Sequence, residues 1–136
     1  MIEDKEYLTD LTYKINGACI EVHKILGSGL LESVYHKCLE EELRIRNIGF
    51  KSDLIIPVNY KGKELNCNFK CDFLIEDLIV LEIKSVSEIH DIHRAQVLNY
   101  MNLLKVPKGI LINFNVKHLF NNGQETFVNK YFNQYK

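Results

Sequence analysis

No apolar run in this chain approaches the ~20 residues that a membrane-spanning helix requires. The first residues, Met1-Ile2-Glu3-Asp4-Lys5-Glu6, are acidic and hold no apolar signal-peptide core. The expectation is a cytoplasmic protein with no membrane partner. An excess of positive charge is also missing: 17 lysines and arginines meet 18 aspartates and glutamates, for a net charge of -1. Proteins that hold nucleic acid through phosphate charge alone carry a basic patch or stripe. Here the basic residues are scattered, so any nucleic-acid contact must be local, cation-assisted or built by an oligomer. There are no repeats, low-complexity tracts or linkers. Nothing resembles a glycine-rich phosphate loop, a Ser/His/Asp set or a Cys/His nucleophile pair. The four cysteines, Cys19, Cys38, Cys67 and Cys71, form no Cys-x-x-Cys pair. Cys67 and Cys71 share one face of a predicted strand. All four are read as reduced core thiols, with zinc or iron–sulfur as the alternative.

What remains is an ordinary folded composition, 46% hydrophobic and 26% charged over 136 residues. That suits one domain, 1–136, with a substantial core. Helical spacing of Leu8, Leu11, Ile15, Cys19, Val22 and Leu26 predicts a helix from about Glu6 to Leu26. Gly27-Ser28-Gly29 breaks it, and Ser28 or Gly29 is expected to cap a second helix reaching about Asn47. On that helix Leu31, Val34, Tyr35, Cys38 and Leu39 should face inward, and Glu40, Glu41, Arg44 and Arg46 outward. A strand follows with Leu54, Ile56, Val58 and Tyr60 alternating, where Pro57 marks an edge strand or a bulge. Lys61-Gly62-Lys63 turns into a second strand and Glu76-Asp77 into a third. A helix from about Ile89 to Leu104 leads to the short buried strand Gly109–Phe114, a parallel pair with a right-handed crossover. A last hairpin is expected around Asn121-Asn122-Gly123. The fold class is α/β: a mixed central sheet flanked by helices, in the order αα-βββ-α-β plus a C-terminal hairpin.

The chemistry concentrates in the hairpin Leu65–Lys84. With its turn centred near Asp77, Asp72 lies opposite Glu82, and Glu82 and Lys84 share a face. Directly opposed residues have Cβ atoms ~5 Å apart. Two carboxylates side by side in a sheet, with Glu82 flanked by Leu78-Ile79-Val80-Leu81 and Ile83, are unfavourable unless a cation sits between them. The reading is a hard-cation site for Mg²⁺ or Mn²⁺, held by Asp72 and Glu82 with the backbone carbonyl of Ile83. Lys84 would orient or deprotonate an attacking water and offset developing phosphate charge. The bland alternative is a solvated salt-bridge pattern on an exposed sheet face.

Further residues extend this set, each with an alternative. Ile92, Ala95, Gln96, Asn99, Tyr100 and Leu103 form one helical stripe, expected to face the sheet. Gln96 and Tyr100 then need buried polar partners: the carboxylates, a water or a substrate, or else plain structural hydrogen bonds. Glu32 and Tyr35 open the second helix. Glu32 is either a third carboxylate reaching the cation or a residue favoured there by the helix dipole. His23 is a lone histidine, more often structural than functional. His36, His90, His93 and His118 show no ligand spacing.

Gly29-x-x-Glu32-x-x-Tyr35 resembles the motif that names the GxxExxY proteins, small bacterial and archaeal members of the PD-(D/E)XK nuclease superfamily. The resemblance covers nearly the whole chain, from about Leu8 to Phe132, and includes His23–Gly27, Cys71-Asp72-Phe73, Glu82-Ile83-Lys84-Ser85 and Ile112-Asn113-Phe114. Gln96-x-x-x-Tyr100 resembles the helix motif of the RecB-like branch. The resemblance implies a PD-(D/E)XK nuclease-like core, with Asp72 and Glu82 as metal ligands and Lys84 as the catalytic lysine. Glu32 would be the acidic residue of the first core helix, with Gln96 and Tyr100 supporting the site or binding nucleic acid. His23 would match an upstream histidine. Cys71 stands where the motif's proline is expected, and Asn115 where relatives carry glycine.

Two function classes follow. The first is a Mg²⁺- or Mn²⁺-dependent nuclease that hydrolyses phosphodiester bonds, of DNA rather than RNA. The second is a non-catalytic module that binds nucleic acid or protein on the same fold. A third, a structural protein without a metal, predicts that apolar replacement of Asp72 or Glu82 is neutral or stabilising. The short chain leaves little room for a specificity element, which points to a homodimer or a protein partner.

Overall fold

The computed structural model describes residues 4–136, so Met1, Ile2 and Glu3 of the acidic N-terminal stretch lie outside the described residues. Helix α1, Lys5–Leu26, opens on Asp4, whose carboxylate accepts the Tyr7 N–H at 2.8 Å. Leu8, Leu11, Ile15, Cys19 and Val22 form its buried stripe. Helix α2, Glu32–Ile45, starts at Leu31 without a side-chain cap, so neither Ser28 nor Gly29 caps it. Tyr35 holds the connecting loop instead: its hydroxyl donates to the Gly27 carbonyl (2.6 Å) and accepts the Leu30 N–H (3.2 Å). Gly29 sits at φ 90°, where a side chain would be strained. The helix stops at Ile45, two residues before the expected end, and Asn47 turns to φ 58°.

The inward row of α2 is Tyr35, Leu39 and Leu43, spaced one turn apart. That rotation leaves Leu31 and Val34 exposed and buries Glu40, against expectation. Glu40 tolerates burial because the Ser52 hydroxyl donates to its Oε2 at 2.6 Å.

Five strands follow: β1 Phe50–Tyr60, β2 Lys63–Ile75, β3 Ile79–Lys84, β4 Lys108–Asn113 and β5 Gln124–Val128, in spatial order β1-β2-β3-β4-β5. Lys61-Gly62, at positive φ (52° and 85°), forms the two-residue hairpin between β1 and β2, and Glu76 and Asp77 (51° and 57°) turn the longer connection to β3. Pro57 lies at a register break on the edge strand β1. The facing β2 segment carries Asn68 at φ 58°, with its N–H bonded to Asn66 Oδ1. This irregularity puts Cys67 in solvent, so Cys67 is not a core thiol, whereas Cys19 and Cys71 are buried; all four cysteines are free. Helix α3, Asp91–Leu104, carries the crossover to β4, which lies parallel to β3. Gly109 on β4 allows that approach, because a Cβ there would come within 2.6 Å of Val97 Cγ1 and 2.5 Å of Met101 Sδ. The expected tail hairpin is instead one strand, β5, antiparallel to β4, with the short helix α4, Leu119–Asn122, in the connection. The Asn121-Asn122-Gly123 turn ends α4, and β5 takes its hydrogen bonds from β4 rather than from a tail partner.

The sheet separates two apolar layers. Phe73, Ile75, Ile79, Leu81, Ile83, Ile110 and Ile112 pack under α1 and α2. Leu74, Val80 and Leu111 pack under α3 with Val97, Tyr100 and Met101. Burial on both faces explains the near-continuous apolar reading of β3 and β4. Among the described residues no helix is long and apolar enough to cross a membrane.

Candidate metal centre

The ladder between β2 and β3 runs from Ile75–Ile79 to Phe73–Leu81 and stops there. In register, the next pair is Asp72 and Glu82, and at this point the carboxylates replace the ladder. Glu82 Oε2 accepts the Asp72 N–H at 2.6 Å, and Asp72 Oδ2 accepts the Ile83 N–H at 2.9 Å. Each side chain therefore satisfies an amide at the divergence of the strands and keeps a second oxygen.

Glu82 is 1% exposed. Burial and then the Asp72 charge push its carboxyl up from 4.5 to about 8. Asp72 is also held above its ordinary value, first by burial, against the opposing pull of the Ile83 amide and of Lys84. A buried Glu82 and a half-buried Asp72, both held above their ordinary values, fit a hard divalent cation, whose charge would let both ionise.

Lys84 follows on β3. Its ammonium donates to Gln96 Oε1 at 2.9 Å, and Gln96 Nε2 donates to the Tyr100 hydroxyl at 3.2 Å. Gln96 and Tyr100 meet across one turn of α3, while the Lys84 contact joins that helix to β3. The rest of the predicted stripe is different: Ile92, Ala95, Asn99 and Leu103 are exposed. The sheet-facing row is Val97, Tyr100 and Met101, since Gly109 draws Val97 and Met101 onto β4. Ile92, Ala95 and Asn99 instead line a cavity of about 600 Å³ with Phe69, Lys84 and Tyr100. Burial and then the Glu82 charge raise the Tyr100 hydroxyl above its ordinary value.

Glu32 occupies the first turn of α2. Burial raises its carboxyl, Lys84 lowers it and Asp72 raises it, which places all three charges in one field. The loop that positions it is pinned to the end of β3, where Ser85 Oγ donates to the Leu30 carbonyl at 2.6 Å. Asn113 completes the clamp. Its side chain accepts the Val86 N–H (3.1 Å) and donates to the Val86 carbonyl (3.0 Å). Tyr35 and His23 bond to backbone rather than to the carboxylates. Tyr35 stacks on Phe114 at 4.4 Å, and His23 Nε2 lies 2.8 Å from the Val116 carbonyl.

Among the described residues, the set of three ligating side chains whose atoms all lie within 4.8 Å is a different one: His36, Glu40 and Asp53. The spacing of His36 and Glu40, one helical turn apart, was a signal for it in the sequence. Asp53 was not, because β1 alone brings it there.

No curated protein and no solved structure gives a significant match to the chain. A family model does, across residues 9–126, from α1 into β5. With that span, and with an α/β architecture in which the Asp72 and Glu82 strands lie side by side, the chain belongs to the PD-(D/E)XK nuclease superfamily.

Proposed function

We propose that this protein is a Mg²⁺- or Mn²⁺-dependent nuclease that hydrolyses phosphodiester bonds, with DNA as substrate. The observation that carries this reading is the exchange of amides by Asp72 and Glu82 where β2 and β3 part, with Lys84 beside them. Asp72 and Glu82 would hold the cation, joined by the Ile83 carbonyl and, directly or through solvent, by Glu32. A divalent ion held by these residues would supply Lewis acidity, polarising a phosphate and lowering the pKa of a bound water. The Lys84 ammonium, aimed by Gln96, orients the attacking water and offsets charge developing on the phosphate. Tyr100 fixes the Gln96 amide, so that the lysine does not search among rotamers. The adjoining cavity has the size of a small-ligand site. Phe69, 40% exposed on its wall, offers a stacking face for a base.

A net charge of -1 supports the second reading, a binding module that needs a partner. Cleavage of labelled single- and double-stranded DNA and RNA, with Mg²⁺ or Mn²⁺, decides between them. Activity in the wild type that disappears in Lys84→Ala supports the nuclease. Equal activity in both proteins identifies a contaminant. Silence across metals and substrates removes the nuclease reading and leaves the binding module.

A further inference from the structure

We propose that His36, Glu40 and Asp53 form a second cation site, adjoining the Asp72/Glu82 centre and selective for zinc over magnesium. The three side chains come from two elements. His36 and Glu40 lie one turn apart on α2, and Asp53 stands on the edge strand β1. His36 Nε2 lies 3.5 Å from Asp53 Oδ2 and 4.0 Å from Glu40 Oε2. Ligand atoms ~2.0 Å from zinc stand ~3.3 Å apart at the corners of a tetrahedron. The two His36 separations lie close to that spacing, all three ligand atoms lie within 4.8 Å of one another, and Asp53, half-exposed, is free to move inward.

The independent sign is His36 itself. Its side chain is 11% exposed, and its buried Nε2 has no hydrogen-bond partner. Buried without a hydrogen bond, that atom meets the two carboxylates, and a cation among the three would fill its lone pair. The ring is held in this orientation by stacking on Phe73, with centroids 4.5 Å apart. Glu40 is oriented by the Ser52 hydroxyl, the kind of supporting hydrogen bond that ligating carboxylates carry. Lys37 (3.7 Å from Glu40) and Lys70 (3.8 Å from Asp53) approach the two carboxylates, but both are more than half exposed and able to swing away. An imidazole nitrogen beside two carboxylates suits zinc, and a site with a nitrogen donor disfavours magnesium. A cation here would fasten α2, which carries Glu32, to the sheet edge.

The test is a zinc titration of the full chain by calorimetry, with MgCl₂ as the parallel titrant. Zinc also has affinity for the Asp72/Glu82 centre, so the site is read in Asp72→Asn. That variant is expected to keep one zinc equivalent. Adding Asp53→Asn should weaken it by more than about tenfold. Asp53 is exposed and outside the core, so this second change is not expected to unfold the chain. With cobalt in place of zinc, a visible ligand-field band should appear in Asp72→Asn and vanish on adding His36→Gln. Magnesium binding should show the opposite pattern, present in His36→Gln and absent in Asp72→Asn. The proposal is overturned if Asp72→Asn takes up no zinc, or if the double variants bind zinc and cobalt as it does.

Discussion

Replacing Glu82 by glutamine should make the metal-free protein more stable in mild alkali, although it removes a central carboxylate. In the folded chain the Glu82 carboxyl titrates at about 8, against 4.5 when exposed. A carboxyl raised in this way stabilises the fold fully below ~4.5, and that contribution is lost as the pH rises through about 8. Linkage puts the loss at ~3 kcal/mol between about pH 5.5 and about pH 8.5. For a domain of this size that lowers Tm by on the order of 10 °C. Glutamine can still accept the Asp72 N–H that Glu82 Oε2 accepts, so the backbone arrangement survives. Thermal melts in chelator at both pH values are the assay. The wild-type slope should flatten in Glu82→Gln, and the variant should melt higher at the alkaline end. Saturating Mg²⁺ should restore the wild type there, by ~2.7 kcal/mol at a hundredfold excess over Kd, and leave the variant unmoved. A wild type with no pH slope, or a variant with the same slope, would refute the reasoning. A variant that still responds to Mg²⁺ would place the cation elsewhere.

Three further outcomes follow from the same geometry. Tyr35→Phe removes the hydroxyl that holds both Gly27 and Leu30; it should cost ~1–3 kcal/mol in urea unfolding. Cleavage should fall with it, since the loop aims Glu32. Gly29→Ala forces a side chain into φ 90° with open space around it, so the loss should be backbone strain alone, ~1–2 kcal/mol by the same unfolding assay. Gly109→Ala drives a methyl into Met101 and Val97, and should cost ~1–3 kcal/mol, read as faster amide hydrogen exchange along α3.

The sequence by itself determined the local elements and the pairing of the hairpin. Helical and strand periodicities are read from neighbours, and the Glu76-Asp77 turn sets a parity that carries Asp72 opposite Glu82 with no knowledge of the rest of the chain. The Lys84–Gln96–Tyr100 chain was half legible. Two of its members share a helix face, but only the parallel crossover brings that face to Lys84. The rotation of α2 and α3 was not legible, because a helix with several apolar residues around it offers more than one inward face. The choice fell to what each packs against: Gly109 for α3, and Ser52, by accepting a place beside Glu40, for α2. His36 was read with the histidines that show no ligand spacing. Its nearest carboxylate partner, Asp53, lies across a turn and on another element, and only the tertiary structure sets the two 3.5 Å apart. Contacts within a few residues are dictated by chain geometry; those between elements depend on which surfaces the whole core can bury together.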